Sequence, residues 1–333
     1  MTTVVPRHRL PAAMAAMFAV ALLTAACGKT ADKPAVFKDG GNEVSDETAA
    51  QVASYELVAG RPGRFMVGLL AGDQSRLVAF GTVQLRFAYL GDRGTAKPAG
   101  PEGPAVTARF LPIPGQHIDP AASGPRFVQG SEGIGVYGAP DVSFDRPGFW
   151  QVSASATVDG KPTKATAAFE VLDRSPIPAP GDPAPRTENP VAGAPGVDPR
   201  SIDSRAAGDV HIPDPELHAS AIAAALDAER PLMVVVSTPT YCQSRFCGPI
   251  TDSVSALAKR YGDRMAFVHL EVWKNFDKNE VNEAAAEWIY PPGTKDPREP
   301  WVFVVGGDGR ITHRFDNVAT DAELEQAVSD VTK

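Results

Sequence analysis

From Asp173 to Asp209 the chain turns to proline, alanine, glycine and aspartate, beginning Ser175-Pro-Ile-Pro-Ala-Pro180 and continuing through Asp182-Pro-Ala-Pro185. Proline fixes φ and donates no backbone N–H, so so dense a run builds neither a helix interior nor a central strand. It also offers little apolar surface to bury, and the expectation for residues 173–209 is a semi-extended linker. The stretch divides the sequence: the apolar pattern before it repeats every second residue, and the pattern after it alternates between strand-like and helix-like runs. Once a leader is set aside, roughly 300 residues remain, more than one ordinary core accommodates. Two folded domains are therefore expected, residues 55–172 and 210–333.

The leader is residues 1–26. A basic start (Arg7, His8, Arg9) runs into an apolar stretch from Ala12 to Leu23 and then into small residues before Cys27, the three parts of a secretory signal. The apolar part falls short of the ~20 residues that span a bilayer, which makes a permanent transmembrane helix the weaker alternative. Leu23-Thr-Ala-Ala-Cys27 resembles the lipobox of bacterial lipoproteins, although Thr24 stands where leucine is commoner. That resemblance implies acylation of Cys27 and a lipid anchor in the membrane, with cleavage after Ala26 and no lipid as the alternative. Either outcome places the protein outside the cytoplasm, in the cell envelope. Residues 27–54 are polar and aperiodic and read as a flexible tether. Without the leader the chain carries 30 Lys+Arg against 40 Asp+Glu, a net charge of −10, which makes nucleic acid an unsuitable partner.

Residues 55–172 read as strands. Trp150, Val152, Ala154, Ala156 and Val158 share one face, a turn follows at Asp159-Gly160-Lys161-Pro162, and Ala165, Ala167, Phe169 and Val171 alternate again, predicting a hairpin. Val83, Leu85, Phe87 and Tyr89 form another stripe. Short strands with Gly/Pro turns predict an all-β antiparallel sandwich. The run Asp145-Arg-Pro-Gly148-Phe-Trp150-Gln-Val resembles the corner before a late strand in immunoglobulin-like domains, without the cysteine pair of an antibody domain.

After His211 the order is a helix over 215–228, a strand at Leu232–Val236, a cysteine-bearing loop, a helix over Cys247–Tyr261 and a strand over Met265–Trp273. A helix near 281–288, a strand at Trp301–Val305, a Gly-Asp-Gly turn, a strand over Arg310–Phe315 and a final helix follow. Thr320 and Glu323 form a capping box for that helix. This is an α/β order.

Of the three cysteines, Cys242 and Cys247 remain as the pair free of the leader, in Pro239-Thr-Tyr241-Cys242-Gln-Ser-Arg245-Phe-Cys247-Gly-Pro249. A valine-rich strand entering a Pro-aromatic-Cys loop, a helix opening at the second cysteine, and Glu299-Pro300-Trp-Val-Phe-Val-Val-Gly-Gly-Asp-Gly-Arg310 together resemble the thioredoxin family over His211–Lys333. The resemblance implies a multidomain protein whose C-terminal α/β domain is thioredoxin-like, with the immunoglobulin-like sandwich ahead of it. It implies a Cys242–Cys247 disulfide that is redox-active and a cis peptide at Pro300, with Tyr241, Arg245 and Glu299 meeting the substrate. Family members usually place two residues between their cysteines, not four. Cys242 attacking first and Cys247 resolving is one assignment; the reverse, read from Phe246-Cys247-Gly248-Pro249, is the other. The family's buried acid, six residues before its first cysteine, is replaced by Val236. His269 and Glu271 share a face of the next strand and either could relay a proton if that face points at the cysteines. The alternative is a hydrogen-bonded core histidine and a glutamate at the strand end.

The function expected is thiol–disulfide exchange on protein or small-molecule disulfides at the membrane surface, with no cofactor and no metal. Two alternatives stand beside it. One is Cu(I) handling by the reduced pair with a histidine (His211, His269 or His313). The other is a non-catalytic envelope protein with a structural disulfide. Closing so short a loop stabilises a fold by only about 2 kcal/mol, which weakens the latter.

Overall fold

The structure is a computed structural model that describes residues 48–92, 100–116, 124–130, 133–206, 211–242, 244–290 and 298–333. The leader, Cys27 and most of the expected tether lie outside the described residues. That tether was expected to reach residue 54, yet Thr48–Val52 form β1, paired along its length with β2 (Gly63–Ala71). Among the described residues no helix is long and apolar enough to cross a membrane.

The first half is β-sheet. After β1 and β2 come β3 (Leu77–Ala79), β4 (Thr82–Gly91), β5 (Val106–Pro112), β6 (Arg126–Val128), β7 (Gly135–Val142), β8 (Gly148–Val158) and β9 (Lys161–Val171). All nine belong to one antiparallel sheet, in the order β6-β3-β2-β7-β5-β4-β8-β9 with β1 on β2. Strands β2 and β9 are five ladder steps apart, about 24 Å in a flat sheet. Phe65 of β2 nevertheless meets Phe169 of β9 with ring centroids 5.0 Å apart and Phe87 of β4 at 4.9 Å. The sheet therefore folds over on itself, and its two ends close on one aromatic core. The stripes read from the sequence line that core: Val83, Leu85, Phe87, Val152, Ala154, Val158, Phe169 and Val171 are all buried. Asp159 and Gly160, both at positive φ, form the two-residue β8–β9 turn. Pro162 is tolerated because β9 is the last strand of the ladder.

The second half contains α1 (Ile222–Asp227), β10 (Leu232–Ser237), α2 (Cys247–Tyr261), β11 (Ala266–Glu271), β12 (Trp273–Asn275), β13 (Glu280–Val281), α3 (Glu283–Ile289), β14 (Trp301–Val305), β15 (Ile311–Asp316) and α4 (Asp321–Val331). Its main sheet has the order β11-β10-β14-β15, with β10 and β11 parallel and the other pairs antiparallel. Both faces are covered, which is why β10 and β14 read as unbroken apolar runs. Met233, Val235, Val302 and Val304 pack toward α2 and α4, while Leu232, Val234, Val236 and Phe303 pack toward α1 and α3. Two expected helices are shorter than predicted. Residues 215–228 divide into a 3-10 turn at Pro215–Leu217 and the six-residue α1, because His218 is drawn into a buried polar cluster. Val281 belongs to β13, and α3 starts after its N-cap Asn282, whose side chain accepts from the Ala284 N–H.

The proline-rich stretch has almost no regular structure, but it is packed. Ile177, Ala179, Thr187, Asn189, Ile202 and Asp203 are buried. Its backbone pairs with the edge at β15 (Gly181 N–H to the Ile311 carbonyl, 2.8 Å; Ile311 N–H to the Asp182 carbonyl, 3.0 Å). It then caps α1 through the Asn189 side chain and the Thr187 carbonyl. The folded-over sheet also meets the second half directly. Arg64 donates to Glu323 at 2.8 Å and to the Asp316 and Val318 carbonyls, Arg314 donates to Glu56 at 2.6 Å, and Met66 and Val136 pack on Val318.

Candidate functional site

Strand β10 delivers the chain to the cysteine loop. The hydroxyl of its last residue, Ser237, lies 2.7 Å from Thr251 Oγ1 of α2, and Thr251 donates to the Cys247 carbonyl at 2.8 Å. Cys247 opens α2, where the first backbone N–H groups have no partner inside the helix. Pro249 sits in that first turn at no cost, because its missing N–H would have been one of the free ones. The Cys247 N–H points at Cys242 Sγ, 3.4 Å away, and Ser244 Oγ lies 3.3 Å from the same sulfur. The two cysteines are joined as a disulfide with a Cα separation of 6.0 Å. Cys247 is sealed at 0 % exposure, whereas Cys242 is only half-buried.

Around the disulfide the expected contact residues take different positions. The Glu299–Pro300 peptide is cis and Pro300 is buried. A carboxylate oxygen of Glu299 and both sulfurs lie within 4.8 Å of one another. Tyr241 stacks face to face on Phe276, centroids 3.9 Å apart, and Trp273 meets the edge of Phe276 at 5.4 Å. Phe276, 40 % exposed, is the one large apolar side chain left in solvent among the described residues. Arg245 is exposed at the loop tip, at positive φ.

Tyr55 was not singled out from the sequence, yet its phenol donates to the Glu299 carbonyl at 2.6 Å and lies 2.9 Å from Asn317 Oδ1. Burial holds its pKa above the usual phenol range, so it stays a neutral donor. These two partners, Glu299 and Asn317, lie 244 and 262 residues away in sequence, and no local pattern could announce them.

His269 and Glu271 do lie on one buried face of β11, but neither hydrogen-bonds a cysteine. Asp203 Oδ2 lies 3.6 Å from His269 Nδ1 and 3.4 Å from His218 Nε2, and it accepts from Arg205 Nη2 at 2.7 Å. Burial raises the Asp203 pKa, but these three partners outweigh it and hold the carboxyl well below the usual range. The Glu271 carboxylate accepts from the Ser204 N–H at 2.9 Å and the Trp273 N–H at 3.2 Å. Ser204 Oγ accepts from the Thr240 N–H of the cysteine loop at 3.1 Å, so Glu271 is linked to that loop through one residue. The copper alternative needs a histidine beside the cysteines. The donor atoms gathered there include Glu299 and no histidine among the described residues, and a carboxylate is a hard donor poorly suited to Cu(I).

No protein-family model matches this chain, and no curated protein matches it. The reading of the site therefore rests on its own geometry.

Glu271 gives a pH-dependent expectation. Burial raises its pKa above the ordinary carboxyl value, so between about pH 4.3 and that raised value the folded state binds more proton than the unfolded one. Its contribution to stability is thus complete at low pH and is lost as pH rises through that window. Glu271→Gln, which cannot ionise, should show a flatter dependence of unfolding free energy on pH above about 4.3 in urea titrations. Parallel curves for the two proteins would contradict this.

Proposed function

We propose that this chain is an extracytoplasmic thiol–disulfide oxidoreductase, held at the membrane through Cys27, whose C-terminal half is a thioredoxin-like domain behind an immunoglobulin-like sandwich. The observation that carries the reading is the asymmetry of the pair. Cys242 Sγ, the more exposed sulfur, receives the first free N–H of α2, while Cys247 is sealed beneath it. A helix N-terminus favours negative sulfur, and the thiolate is the nucleophile of disulfide exchange.

In the reducing direction, the Cys242 thiolate attacks one sulfur of a substrate disulfide. A mixed disulfide forms and the other substrate sulfur leaves as thiolate, to be protonated by solvent. Cys247, deprotonated, then attacks Cys242 Sγ; the Cys242–Cys247 bond forms, the second substrate thiol leaves, and the pair has given up two electrons. Among the described residues, Glu299 brings a carboxylate oxygen within 4.8 Å of both sulfurs and is placed to take the Cys247 proton. The Tyr241–Phe276 stack offers an apolar landing surface beside the attacking sulfur, as expected for a peptide carrying the disulfide.

Titration of the full chain against a glutathione redox buffer, with each cysteine's alkylation followed by mass spectrometry, tests this. The expected result is a potential between about −270 and −120 mV and faster alkylation of Cys242 than of Cys247. A potential below about −300 mV would identify an inert structural disulfide and overturn the proposal.

A further inference from the structure

The cluster of Asp203, His218 and His269 takes no part in the exchange chemistry above, and its geometry raises a separate question. The three side chains are 0 %, 1 % and 3 % exposed. His269 Nε2 lies 3.2 Å from the Ser237 carbonyl, which can only accept a hydrogen bond, so that nitrogen carries the proton. In the neutral ring Nδ1 then presents a lone pair. It is aimed at Asp203 Oδ2 from 3.6 Å and finds no hydrogen-bond partner. His218 Nε2, also without a hydrogen-bond partner, faces the same oxygen from 3.4 Å. Two buried nitrogens without a hydrogen-bond partner thus converge on a carboxylate oxygen that already accepts from Arg205 Nη2 at 2.7 Å, and a cation shared by the three side chains would satisfy both nitrogens.

We propose that Asp203, His218 and His269 form a binding site for a divalent transition metal, with Zn2+ the best match. Two imidazoles and one carboxylate are donors that zinc takes up readily. Metal–ligand bonds of about 2.0–2.1 Å at tetrahedral angles put neighbouring donor atoms about 3.4 Å apart, close to the separations of 3.4 and 3.6 Å seen here. The outer contacts orient the donors as metal sites require. The Ser237 carbonyl fixes the His269 ring, and the Arg205 backbone N–H (2.8 Å) and Nε (3.0 Å) fix Asp203 Oδ1. Arg205 does not simply neutralise Asp203, because its guanidinium is shared with Asp214 at 2.7 Å and Asp252 at 3.1 Å. The three donors come from the proline-rich stretch, from the turn before α1 and from β11, so a bound ion would fasten that stretch to the sheet.

The test uses the full chain, stripped with a chelator, reloaded with Zn2+ and desalted, with metal counted by mass spectrometry. One Zn2+ per chain is expected in the parent and in a Cys242→Ser/Cys247→Ser variant, and a loss of tenfold or more in His218→Asn/His269→Asn. Co2+ loaded into the unaltered parent reports the ligands without relying on a variant that folds. Visible ligand-field bands without thiolate charge transfer are expected. Retention of no metal by the parent, retention by the double histidine variant, or a thiolate signature that disappears with the cysteines would each overturn the proposal.

Discussion

Replacing Cys242 with serine is expected to abolish disulfide exchange, while replacing Cys247 with serine should leave the first attack intact and block the second. The rate of turnover on a fluorescent glutathione disulfide should fall on the order of 10³-fold or more in either variant, because the two thiols act as one unit. The variants differ in what accumulates. With Cys247→Ser the mixed disulfide on Cys242 has no resolving thiol, and non-reducing mass spectrometry should find the substrate attached at that residue. With Cys242→Ser the remaining sulfur is buried, and no adduct should form. An adduct on Cys247 and none on Cys242 would reverse the order of attack. No adduct on either would remove the oxidoreductase reading altogether.

The second large effect concerns stability. Trp288 is completely buried, packs edge-on against Phe303 with centroids 5.0 Å apart, and donates from Nε1 to Thr187 Oγ1 at 2.9 Å. Trp288→Ala should lower the unfolding free energy by about 3–5 kcal/mol, through the cavity left and the lost apolar contact. Thr187 is itself 1 % exposed and would lose this partner while keeping its bond to Glu287. Loosening should therefore reach the proline-rich stretch, seen as new limited-proteolysis cuts within residues 183–206. A shift of under ~1 kcal/mol in urea, with an unchanged cleavage pattern, would show that this contact does not anchor the stretch.

How much of this could be read from the residues depends on how local each signal is. The β8–β9 hairpin, α2 from Cys247 to Tyr261 and the capped α4 are set by neighbours a few positions apart, and the alternation, the helix start and the capping box announced them. The nine-stranded ladder in which β2 folds over toward β9 is long-range, and no period records it. The cysteine pair was visible as a pair, but the burial difference between its members arises from packing. Tyr55 gave no signal because its partners Glu299 and Asn317 lie 244 and 262 residues away, and Asp203 gave none because its proline-rich surroundings show no period and its partner His269 comes from β11. The proline-rich stretch misleads for a related reason. Its composition rules out helix and sheet, yet it does not prevent single residues such as Asn189, Ile202 and Asp203 from filling gaps in a surface formed elsewhere.

That belt of prolines changes what counts as a separable piece of this protein. A fragment beginning at His211 would keep the cysteines and their helix. It would leave α1 without the Asn189 cap, Glu271 without the Ser204 N–H and the Trp288 indole without Thr187. The half that carries the cysteine pair is thus stitched from distant parts of the chain, and whoever transplants it onto another carrier must move the belt and Tyr55 along with it.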